Sequence, residues 1–133
     1  MTRIHDAKTR ITGVLFIFAL LVIVISACAT KSNLTFLVDG AVTDMDPYTS
    51  PQQGILSQVW ISSDTLRVEA YVKEFCGGVT FRGDYRLEGN NLILLYGVKY
   101  GDAVTSCKGV YRLVYTISHL EQKDYVLSIV PTG

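Results

Sequence analysis

Beyond residue 27 the chain offers acid–base chemistry a single histidine, His119, with Glu121 and Asp124 close by in sequence. A serine–histidine–carboxylate relay built on it would also need a serine lifted on a strained turn. No Gly-x-Ser-x-Gly segment supplies one, and Ser118-His119-Leu120-Glu121 reads as a turn open to water. Asp39, Asp44 and Asp46 crowd one stretch, as calcium ligands do, but the EF-hand spacing of Asp, Gly and a terminal Glu is missing. They read as acidic turn formers. A zinc site has little to draw on, with no Cys-x-x-Cys and one histidine in this part of the chain. No catalytic residue and no metal ligand is assigned, no cofactor is expected, and a non-catalytic role follows.

Two short matches carry little chemistry. Arg82-Gly83-Asp84 spells an adhesion tripeptide but falls inside a run that reads as a strand, Thr80 to Leu87, where no flexible tip would display it. Asn33-Leu34-Thr35 matches a glycosylation acceptor. Two tyrosines stand apart from the other six: Tyr48 beside Pro47 and Tyr100 beside Gly101 fall in expected loops. Exposed loop aromatics are what a binding surface uses. Tyr48 and Tyr100 are therefore the candidate contact residues.

The elements that must position these residues begin after a different kind of segment. Arg3, Lys8 and Arg10 precede a nearly unbroken apolar run, Ile11 to Ile25, and then Ser26-Ala27-Cys28. A basic start, a short apolar stretch and small residues at its exit make a secretory signal peptide. The run is short for a membrane span, which takes about twenty apolar residues. Ile25-Ser26-Ala27-Cys28 resembles the lipobox of bacterial lipoproteins, in which the cysteine sulfur receives diacylglycerol before cleavage. The resemblance implies residues 1–27 as signal peptide, Cys28 as the lipidation site, and residues 28–33 as a tether. It implies a cell-envelope location and a membrane attachment through lipid on Cys28. In a Gram-negative host, Ala29 after the cysteine is similar to the outer-membrane sorting pattern. Two or three acyl chains anchor durably, so no protein surface is needed for membrane affinity.

With Cys28 taken by lipid, an even pair remains, Cys76 and Cys107. An exported chain folds in an oxidising compartment, where a small domain gains from a disulfide. Closing a loop of this size is worth roughly 3.5–4 kcal/mol by chain entropy. Charge narrows the partners further. Nine of twelve Lys and Arg and eleven of twelve Asp and Glu lie from Cys28 onward, a net charge of −2. Nucleic acid demands clustered basic charge and is disfavoured.

Residues 34–133 read as one β domain. Leu34 to Val38 opens it, Thr43 to Gly54 reads as a loop, and Gly54 to Ser62 is a strand holding the only tryptophan, Trp60. Leu66, Val68, Ala70 and Val72 alternate with Arg67, Glu69 and Tyr71, which places one face in the core and the other in water. Val79 to Leu87 and Leu92 to Val98 flank Gly89-Asn90, a hairpin signal, and the unbroken apolar run Leu92 to Tyr96 suggests a central strand. Tyr111 to Ile117 and Tyr125 to Ile129 complete about seven strands. Such spacing predicts an all-β fold, a small antiparallel immunoglobulin-like β-sandwich, with a small β-barrel as the alternative.

The stretch from Cys76 to Ile129 also resembles small uncharacterised envelope lipoproteins: a cysteine, a Tyr-x-Leu-x-Gly-Asn hairpin, a second cysteine and a Tyr-x-Leu-x-Tyr-x-Ile strand. That grouping implies no activity. The expectation is a lipid-anchored envelope protein acting as a binding or accessory structural module toward an envelope protein partner. Other readings are a lysozyme-type inhibitor, a small-ligand carrier should the strands close into a barrel, and, last, an envelope hydrolase working through His119.

Overall fold

The computed structural model describes residues 33–103 and 105–133. Cys28, the signal segment and most of the tether lie outside them. Seven strands follow in chain order: β1 (Leu34–Ala41), β2 (Gln53–Trp60), β3 (Leu66–Phe75), β4 (Val79–Glu88), β5 (Asn91–Tyr100), β6 (Lys108–Ile117) and β7 (Val126–Pro131). They form two sheets, a four-stranded one ordered β1-β6-β3-β2 and a three-stranded one ordered β4-β5-β7. The described residues form a β-sandwich and do not close into a barrel.

Alternation builds it. Leu66, Val68, Ala70 and Val72 of β3 are buried, as are Leu113, Tyr115 and Ile117 of β6 and Leu92, Leu94 and Tyr96 of β5, and all pack in one core between the sheets. β4 and β5 meet across the two-residue turn Gly89-Asn90, with Glu88 opposite Asn91. β5 is the centre of its sheet, as its apolar run predicts. Tyr115 is fully buried, yet its hydroxyl donates to Leu95 O at 2.9 Å across the sandwich. A second polar bridge runs from β5 to β2 to β7: Tyr96 donates to Gln53 Oε1 at 2.8 Å, and Gln53 Nε2 donates to Ile129 O at 2.7 Å. Buried hydroxyls and amides paired in this way avoid the cost of unmet hydrogen bonds.

Three features depart from the sequence reading. All pairings are antiparallel except β5 with β7, which run parallel from Asn91 opposite Val126 to Tyr96 opposite Pro131. The immunoglobulin arrangement orders its strands ABED and CFG, whereas here the last strand joins the hairpin β4–β5 after residues 118–125 cross from one sheet to the other. The third departure is on the outer face of the larger sheet. Tyr71, on the polar phase of β3, is only 8% exposed, because Val42 and Met45 fold back over it and Val110. Gly54, opposite Tyr71 in the ladder, leaves room for that ring: a Cβ there would lie 2.7 Å from Tyr71 Cε1.

The buried tyrosines give the domain an alkaline limit. Burial pushes the Tyr115 hydroxyl well above the ordinary tyrosine range, with Tyr96 and Asp84 adding to it, and burial raises Tyr96 too. A folded-state pKa above the unfolded value means that the native state holds its proton more tightly. Their contribution is complete below about pH 10 and is lost as pH rises above it. Chemical denaturation across alkaline pH is expected to show falling midpoints. Tyr115→Phe is expected to cost about 1 kcal/mol at neutral pH, for the bond to Leu95 O, and to flatten the alkaline decline.

Candidate binding surface

Strand register divides the sandwich into two ends. Leu34 pairs with Ile117, and Leu66 pairs with Ile117 on the other side, so the chain enters at the end holding the β2–β3 turn and residues 118–125. Ala41 pairs with Tyr111, Phe75 with Lys108 and Val79 with Tyr100, which sets loop 42–52, the β3–β4 link and the β5–β6 link at the opposite end.

That far end is closed covalently. Cys76 and Cys107 form a disulfide with Cα atoms 5.4 Å apart. It joins the β3–β4 link, where Gly77 and Gly78 adopt φ of 80° and 61°, to the link between β5 and β6. Only glycine takes such angles freely. Backbone bonds add to the closure: Cys76 N donates to Cys107 O at 2.9 Å and Gly101 N to Gly78 O at 2.7 Å. Thr105 Oγ1 donates to Cys76 O at 2.7 Å.

Beside the disulfide lies an aromatic pair. Phe75 and Tyr100 are 38% and 42% exposed and meet edge to face with centroids 6.0 Å apart. Lys108 Nζ stands 5.7 Å from the Phe75 ring centroid. The Tyr100 hydroxyl donates to Glu74 Oε2 at 2.5 Å. That bond favours the neutral phenol and, with some burial and the carboxylate's charge, pushes Tyr100 up to about 12. Tyr100 is thus a held, uncharged donor across the physiological range. It closes β5 instead of lying in a loop.

Tyr48 is displayed differently. Its loop is stitched by Asp46, whose carboxylate accepts from Tyr48 N and Thr49 Oγ1, both at 2.9 Å. Those bonds hold the Asp46 carboxyl below its ordinary value, the backbone bond from Tyr48 first. Ser50 N donates to Asp46 O at 3.0 Å, and Lys73 N donates to Gln52 O at 2.9 Å. Val42 and Met45 form the buried seam, while Tyr48 at the tip is 72% exposed. Asp46→Ala is expected to free the tip, seen as faster amide exchange at Tyr48 and Ser50 with the core amides unchanged.

The remaining candidates are scattered. His119 adopts φ 62°, is exposed, and sets Nδ1 3.2 Å from Asn33 Oδ1. Glu121 meets Lys123 instead, at 3.3 Å. Asp39 lies 4.0 Å from Arg112 Nη1, apart from the Asp46 turn. Among the described residues no three acidic, histidine or cysteine side chains gather as metal ligands. Gly83 sits in mid-β4, as the strand reading of Arg82-Gly83-Asp84 requires. A groove of about 340 Å³ opens on the outer face between Leu37, Arg67 and Val114, not between the sheets. Sequence reasoning missed Glu74, Phe75 and Lys108 as companions of Tyr100. Phe75, an apolar residue on the polar phase of β3, was the available signal.

No protein-family model, no curated protein and no solved structure matches this chain. What the surface can do therefore rests on its own chemistry. Two exposed tyrosines, a phenylalanine and a lysine over an aromatic ring, on a cross-linked frame, are the kinds of side chain that binding surfaces use.

Proposed function

We propose that the protein is a bacterial envelope lipoprotein, lipidated on Cys28, whose β domain is a non-catalytic binding module for an envelope protein. In a Gram-negative host it sits in the outer membrane. The observation that carries this reading is polarity along the strands. Asn33, where a tether from Cys28 would arrive, lies at one end of β1, and Phe75, Tyr100 and the Tyr48 loop belong to the other. Eight residues of strand place the two ends about 25 Å apart. An anchor at one end and rigid aromatics at the other is the arrangement of a displayed binding surface.

The disulfide and the Asp46 turn support it. Both hold the far end in one shape before contact, which lowers the ordering cost of binding. Combined Tyr48→Ala and Tyr100→Ala substitution is expected to abolish a specific crosslink formed by the full-length protein in its own envelope, while the unfolding midpoint moves little. Retention of every crosslink by that variant would refute the proposal.

A further inference from the structure

We propose that the end of the sandwich where the chain enters rests on the bilayer, with Ile61 and Val126 at the headgroup layer, and that this contact fixes the orientation in which the far end is presented. The inference rests on lipidation of Cys28. Acyl chains supply the affinity, and the protein surface supplies the orientation.

The length of the tether carries the argument. Asn33 is clamped to the domain: Ser118 N donates to Asn33 O at 2.8 Å, and His119 Nδ1 stands 3.2 Å from its side-chain oxygen. Only residues 29–32 separate the clamp from Cys28. Five residue steps reach at most about 18 Å, and the headgroup layer takes up roughly 6 Å of that. With Cys28 lipidated, the entry end is held within about 12 Å of the headgroups.

What stands at that end is suited to it. Ile61 and Val126 are 56% and 65% exposed. Ile61 directly follows Trp60 at the end of β2 and Val126 opens β7, so both stand at this end, beside the Trp60–Tyr125 pair, whose ring centroids are 6.2 Å apart. Trp and Tyr favour the boundary between headgroups and acyl chains. Lys123 Nζ lies 5.4 Å from the Tyr125 ring centroid.

Backbone bonds brace the connections at this end. Leu120 N donates to Asp64 O, Val126 N to Asn90 O and Ile61 N to Thr65 O, each at 2.9 Å. Charge does not drive the contact. The connecting segments at this end carry Asp64, Glu121 and Asp124 against Lys123, an acidic excess unlike the polybasic segments that seek anionic lipid. A weak apolar contact suffices because the tether makes it intramolecular, at high effective concentration.

Trp60 is the only tryptophan, and it directly precedes Ile61 at this end. The test places the full-length lipidated protein in phosphatidylcholine vesicles whose acyl chains are brominated near the headgroup, with intact mass measured on the same sample. Trp60 fluorescence is expected to be quenched, and Ile61→Ser with Val126→Ser is expected to lose most of that quenching. A Trp60→Phe, Tyr48→Trp chain is expected to show none. An acylated protein with unquenched Trp60, or with equal quenching at positions 60 and 48, overturns the orientation and leaves lipidation standing. An unacylated mass overturns both.

Discussion

Gly83→Ala is expected to destabilise the domain by about 2–3 kcal/mol, the range of overpacking in a well-filled core. A Cβ at position 83 would lie 2.0 Å from Phe36 Cδ2 and 2.4 Å from Cγ, too close for any small adjustment to relieve. The Phe36 ring cannot simply retreat, because it packs edge-on against fully buried Tyr115 with centroids 5.0 Å apart. Moving it opens the side of the sandwich where β1 meets β4. For a domain of this size the melting temperature should fall by roughly 10–20 °C. Thermal unfolding of the residue 28–133 domain measures it, and Phe36→Leu in the same chain should recover part of the loss. A Gly83→Ala protein as stable as the parent would mean that Phe36 does not occupy the face of Gly83.

The second large effect belongs to the disulfide. Cys76→Ala with Cys107→Ala should cost roughly 3.5–4 kcal/mol, since the bond closes a loop 31 residues apart in sequence. The loss should be concentrated at the far end. Cys76 N to Cys107 O, Thr105 to Cys76 O and Gly101 N to Gly78 O are the bonds that the cross-link holds in place. Amide exchange there should accelerate before the β3–β6 ladder does, and the Tyr100–Glu74 contact should loosen with it. Uniform acceleration across both sheets would contradict that localisation.

The sandwich was readable in the sequence because alternation records which face of a strand is buried. Leu66 to Val72, the Gly89-Asn90 turn and the central run Leu92 to Tyr96 each carried a local signal that the fold obeys. Alternation does not record which strand lies alongside. The parallel β5–β7 pair depends on where residues 118–125 carry the chain, a non-local outcome that no short pattern encodes.

The same gap explains the contact surface. The loop from Thr43 to Gly54 reads as polar and turn-rich, yet Val42 and Met45 press it onto Tyr71 and Val110 and leave Tyr48 alone at the tip. Tyr100 was legible as an exposed aromatic, but not its bond to Glu74, which comes from a strand in the other sheet 26 residues earlier. The pairing of Cys76 with Cys107 was legible because lipid on Cys28 would leave no other partner.

Intact mass of the protein extracted from the membranes of its own host, before and after reduction, tests the anchored-module proposal most directly. The predicted mass is that of Cys28 to Gly133 plus acyl chains, gaining two hydrogen atoms on reduction as the Cys76–Cys107 bond opens. A mass equal to the whole uncleaved chain, without acyl groups, would contradict lipid anchoring at Cys28 and with it the division into a membrane end and a binding end.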